Sequence, residues 1–243
     1  MEILFKIILG IHIAGGTIAL IGAPIAIVVH KGGKTHRTAG KIFFWGMTTV
    51  FVTAIYMSIV HNIPFLFMIA FFSYQLVMSG YRALYYKKLH RGQEVKRLDW
   101  IIVAVAAFVN VAMIGWGAWQ YISFQNTIGI VSAVFGLIGL SFSWRDYSHF
   151  RKGTKEKNAW LFKHLSGMIG GYIAAVTAFM VVNFADNLPT LIVWLGPTVV
   201  GTPLIFYFVA SYRSKLLRGK ELNKMVTLSV KNGERTISPN ELQ

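Results

Sequence analysis

Residues 100–144 read WIIVAVAAFVNVAMIGWGAWQYISFQNTIGIVSAVFGLIGLSFSW, and not one Asp, Glu, Lys or Arg interrupts them. A helix rising about 1.5 Å per residue needs ~20 apolar residues to cross the ~30 Å hydrocarbon core of a bilayer. The stretch is therefore two spans, with Ser123-Phe124-Gln125-Asn126 as the polar break between them. Working outward, residues 7–30 hold one span, and 42–81 hold two divided at His61-Asn62-Ile63-Pro64. Residues 164–212 hold two more, divided at Asp186-Asn187-Leu188-Pro189. The expectation is an all-α membrane protein of seven helices, at roughly 3–29, 41–61, 64–86, 99–122, 127–145, 159–183 and 189–212. Apolarity is continuous rather than alternating, which excludes a barrel. The first apolar run exceeds the ~7–15 residues of a cleavable signal and reads as a span.

Composition agrees with this count. The chain of 243 residues is 55% hydrophobic and only 14% charged, with a mean hydropathy of +0.55. A water-soluble globule of this length could not bury so much apolar surface. The absence of cysteine excludes disulfides, thiolate metal sites and iron–sulfur clusters. The net charge of +15 would point to nucleic acid in a soluble protein. Here all of the 24 Lys and Arg residues except Lys6 fall in loop 30–41, segments 82–97 and 145–163, and the tail. The opposite turns carry none, so the positive-inside rule puts the N-terminus outside and the C-terminus in the cytoplasm. The basic residues are then topology signals and contacts to anionic lipid, and nucleic acid is not a partner.

An offset of 121 residues pairs Lys31-Gly32-Gly33-Lys34 with Lys152-Gly153-Thr154-Lys155, Gly46-Met47 with Gly167-Met168, and Asn62 with Asn183. With small gaps, Tyr81-Arg82 pairs with Tyr212-Arg213. Halves 1–98 and 123–212 are thus expected to form a parallel 3+1+3 repeat, with linker helix 99–122 between them and a polar cytoplasmic tail at 213–243. This architecture resembles the SWEET sugar transporters, whose site lies between the halves. Ligand-lining candidates in such a cavity are Gln75 and Asn110, the deepest carboxamides, with Thr198 and Thr202.

No charged residue is expected near the centre of a span, which removes the usual carboxylate relay. Four histidines carry the alternative chemistry. By helical rise His12 and His61 lie toward the outer side and His36 and His164 toward the inner, with His12 and His164 some ~16 Å apart along the normal. Pairing by level gives His12/His61 and His36/His164, which resembles the two-haem b-type cytochromes with histidine axial ligands. Against it, His36 is expected in a loop. Gly15, Gly16, Gly40, Gly167 and Gly171 read as close-packing positions, and Pro197 and Pro203 as kinks in the last span. No serine triad, phosphate loop or zincin pattern is present, which points away from an enzyme.

The run His12-Ile13-Ala14-Gly15-Gly16, the stretch Lys31 to Gly40, Lys163-His164-Leu165-Ser166-Gly167-Met168 and Gly201-Thr202-Pro203-Leu204-Ile205 resemble the bacterial membrane proteins grouped as domain of unknown function 2306. The resemblance implies a multi-pass protein of the bacterial inner membrane and carries no activity with it. Three functions follow from the residues. The first is a transporter or channel for a small solute, with no cofactor. The second is a membrane redox protein binding haem b through His12, His36, His61 or His164. The third is a non-catalytic partner or assembly protein. The expected partners are the bilayer, a small solute and a second copy of the chain in a homo-oligomer.

Overall fold

The computed structural model describes the backbone of residues 2–231 and the side chains of residues 2–219. Seven helices follow one another: α1 (Glu2–Val28), α2 (Lys34–Val60), α3 (Pro64–Ala83), α4 (Arg97–Phe124), α5 (Thr127–Lys152), α6 (Ala159–Phe184) and α7 (Thr190–Lys231), with a short 3-10 turn at Leu89–Arg91. All seven are long and apolar enough to cross a membrane, and no strand occurs among the described residues. The chain is a multi-pass helical membrane protein by these dimensions.

The turns form where short polar residues interrupt the apolar runs. Pro64 opens α3 in its first turn, where a missing N–H costs nothing. At the break in the opening stretch, Gln125 closes α4 in the left-handed region at φ 51°. Asn126 then caps α5 by accepting from the N–H of Ile128 at 3.0 Å.

Helices run further than the charge-free stretches at the basic end. α2 starts at Lys34 rather than 41, α5 continues past 145 to Lys152, and α7 passes the expected end at 212 and runs to Lys231. Lys and Arg continue a helix readily, so the charge-free run measures the hydrocarbon thickness and not the helix. The first part of the expected tail is thus helical, and its residues 232–243 lie outside the described residues. This also corrects the placement of His36, which stands in the first turn of α2 and not in a loop.

α3 is the central helix, packing on α2, α4, α5 and α6. On one side Phe65, Met68, Phe72 and Leu76 meet Val109, Met113, Val131, Phe135, Val193 and Trp194. On the other Val77 joins Ala19, Ala23, Phe43, Phe44 and Met47. α1 and α7 are the least buried. The two proposed halves pack differently: the backbone of α1 lies along α2, whereas among the described residues no Cα of α5 comes within 8 Å of one in α6, and α5 lies along α4 instead. The physical reason is that the matched Lys-Gly and Tyr-Arg pairs mark membrane boundaries, and boundaries do not choose neighbours.

Glycines do choose them. A Cβ on Gly46 would lie 2.8 Å from the Gly15 carbonyl oxygen, one on Gly117 2.5 Å from that of Gly129, and one on Gly167 2.6 Å from the Gly80 nitrogen. These three crossings bring backbones together at α1/α2, α4/α5 and α3/α6. Gly171 is crowded by Val77, in line with a packing role. Gly16 and Gly40 are corrected: a Cβ at Gly16 would meet only Val50 at 3.8 Å, and one at Gly40 nothing within 4 Å. α7 remains helical through Pro197 and Pro203.

A candidate ligand cavity at the basic end

The mid-depth carboxamides are brought together, but against each other. Asn110 Nδ2 donates to Gln75 Oε1 at 2.6 Å, and Gln75 Nε2 donates to the Gly139 carbonyl and to Ser143 Oγ, both at 2.9 Å. Asn110 is fully buried, and its amide oxygen rests against Gly139 without a hydrogen-bond partner. This layer ties α3, α4 and α5 into one unit as a packing device, and neither residue lines the cavity described below. Thr198 and Thr202, half-buried on α7, do not line it either.

One helical turn nearer the basic end, a charged pair is buried that the sequence reading missed. Lys163 Nζ lies 3.0 Å from Asp146 Oδ1, with both side chains 7% exposed, and Ser79 Oγ donates to Asp146 Oδ2 at 2.7 Å. The Lys163 ammonium also sits 4.3 Å from the centre of the Phe150 ring. Beside it Arg82 grips Asp99 with two bonds, Nε to Oδ1 at 2.7 Å and a terminal nitrogen to Oδ2 at 2.6 Å. Tyr86 donates its hydroxyl to the same carboxylate. Burial and that bond push the Tyr86 phenol up from its ordinary value of 10.0. The signal was in the spacing: Gln75, Ser79 and Arg82 recur on one face of α3, and Gly139, Ser143 and Asp146 on the facing side of α5. Ending the fifth span at residue 145 hid it.

The cavity lies elsewhere. It encloses about 460 Å³ between the last turns of α1 and α3, the first turns of α2 and α6, and α7 at Phe208 and Tyr212. Its walls are aromatic and aliphatic, from Phe43, Tyr81, Trp160, Leu165, Met168 and Ile169. Its rim carries Lys31, Arg37, Lys41 and Lys87. Lys31 donates to the terminal carbonyls of α1, Ala26 at 3.0 Å and Ile27, and burial pulls its ammonium below the usual lysine range. Lys87 lies 4.8 Å over the Trp160 ring.

Two of the four candidate histidines line this cavity. His36 Nδ1 bonds the Ala26 carbonyl at 2.9 Å, and His164 Nδ1 bonds that of Gly80 at 3.0 Å. Their ring centres are 6.3 Å apart with planes at 77°. The outer pair does not assemble in this way. His12 bonds Thr53 Oγ1 at 2.8 Å, and His61 packs edge-on against Phe5. The His164 anchor depends on the α3/α6 glycine crossing, because a Cβ at Gly80 would meet the Met168 nitrogen at 2.8 Å and force the helices apart.

Among the described residues no group of three or more His, Asp or Glu side chains is arranged to hold a metal ion. No protein-family model matches the chain, and neither a curated protein nor a solved structure matches it.

Proposed function

We propose that this chain is a ligand-binding protein of the bacterial inner membrane, taking an amphiphilic anion from the cytoplasmic leaflet into the cavity at its basic end. The basic loops orient that end toward the cytoplasm by the positive-inside rule. One observation carries the reading: an apolar cavity of about 460 Å³ whose rim holds four cationic side chains. A volume in this range fits a ligand of lipid or cofactor size, and walls of this composition fit an apolar body with its acidic end at the rim. A solute path between two helix repeats has less support. The residues that would line it are bonded to one another or lie outside the cavity, and the halves are packed differently.

The test is calorimetric titration of the protein in an uncharged detergent with a long-chain fatty acid and with the alcohol of the same length. The carboxylate should bind about tenfold tighter or more, the value of one charge-assisted hydrogen bond. Lys41→Gln with Lys87→Gln should remove that difference. Equal binding of acid and alcohol, or no binding, overturns the proposal.

A further inference from the structure

We infer that His36 and His164 are the two axial ligands of a single haem b seated in this cavity. The inference rests on the amphiphile reading above and names the ligand class: a flat, apolar macrocycle with two carboxylates.

The argument begins with the ring nitrogens. A histidine whose Nδ1 bonds a backbone carbonyl must carry its proton there, so Nε2 presents a lone pair. Both rings are held in this way, by the Ala26 and Gly80 carbonyls, the same hydrogen bond from the far ring nitrogen that orients metal-bound imidazoles. No hydrogen bond occupies either Nε2 among the described residues. Two imidazoles bound on opposite sides of one metal, each at about 2 Å, place their ring centres about 6 Å apart. The observed separation is 6.3 Å.

The ligand count selects the metal's form. A bare zinc or copper ion asks the protein for three or four donors, and no such group exists among the described residues. Haem iron brings four equatorial nitrogens and asks for two. The remainder of the cavity suits the rest of the group, with Phe43, Tyr81 and Trp160 for the ring system and Arg37, Lys41 and Lys87 for the carboxylates. His12 and His61 contribute nothing to it, so one haem is expected, not two.

The experiment compares hemin with metal-free protoporphyrin on the purified full chain in maltoside. Hemin should bind and give the spectrum of a low-spin, six-coordinate iron that sharpens on reduction with dithionite. His36→Ala and His164→Ala should each weaken hemin by about tenfold or more and abolish the low-spin spectrum. Neither should change the affinity for metal-free protoporphyrin, which also shows that the variants are folded. His12→Ala and His61→Ala should leave hemin binding unchanged. Hemin binding that ignores His36 and His164, or no hemin binding by a chain that takes up the fatty acid, overturns the haem inference and leaves the cavity reading standing. Failure of hemin, protoporphyrin and fatty acid together overturns both.

Discussion

At the scale of single residues, the buried ion pair dominates. Asp146 and Lys163 are nearly sealed from solvent, and each is the other's compensation. Removing one partner leaves a naked charge in a low-dielectric interior, at a cost of about 3–5 kcal/mol, whereas replacing both with apolar side chains of similar volume is far cheaper. Asp146→Leu alone should therefore lower the thermal midpoint of the purified protein sharply, and Asp146→Leu with Lys163→Met should recover most of the loss. A double variant no more stable than the single one would show that the pair is not coupled. The spacing on α3 and α5 carried a signal for Asp146, but charge masked the pair: Arg145 precedes one partner, and the run Thr154 to Lys157 lies shortly before the other. Charge alone could not tell a solvated Lys from one folded back onto Phe150. The histidines divided in the opposite sense. Depth arithmetic placed His36 with His164, which the structure brings together, but it paired His12 with His61, although His12 stands level with Thr53, about 12 Å of helix short of His61, which packs on Phe5 instead.

At the scale of elements, the helices were legible in number and loosely in extent, and their contacts were legible only through glycine. α4 and α5 illustrate both. Their common turn was visible as Gln125-Asn126, a left-handed closure followed by a cap. Their close packing follows from Gly117 and Gly129 facing each other, which hydropathy does not register. Gly129→Ala would set a Cβ 2.5 Å from the Gly117 carbonyl oxygen and 2.8 Å from the Tyr121 nitrogen, both rigid backbone atoms. Overpacking of this kind should cost about 1–3 kcal/mol, read as a lower thermal midpoint. Gly40→Ala is the matched control. It stands inside α2 with nothing within 4 Å of its would-be Cβ, so the change should be neutral or stabilising by up to about 1 kcal/mol through helix propensity. Equal destabilisation by both substitutions would mean that glycine at these sites serves something other than close approach.

At the scale of the whole molecule, charge and packing carry different information. The repeat drawn from the sequence rests mostly on Lys, Gly, Tyr and Arg at the membrane boundary, with Gly46-Met47 and Gly167-Met168 inside α2 and α6, and the helix neighbours do not follow it. The charge asymmetry is stronger, because moving a loop with several Lys and Arg residues across the bilayer is opposed at each one. It also bears on the cavity. The rim residues Lys31, Arg37, Lys41 and Lys87 belong to the same basic loops that set orientation, so the cavity mouth must face the cytoplasm if the topology is N-terminus outside. The cysteine-free chain makes this directly measurable, since any introduced cysteine is the single thiol. Asn187→Cys, exposed in the turn before α7, should react with a membrane-impermeant maleimide in intact spheroplasts. Lys155→Cys, exposed between α5 and α6, should react only after the membrane is permeabilised. The reverse pattern would invert the topology and place the cavity on the outer side, where a ligand made in the cytoplasm could not enter it directly.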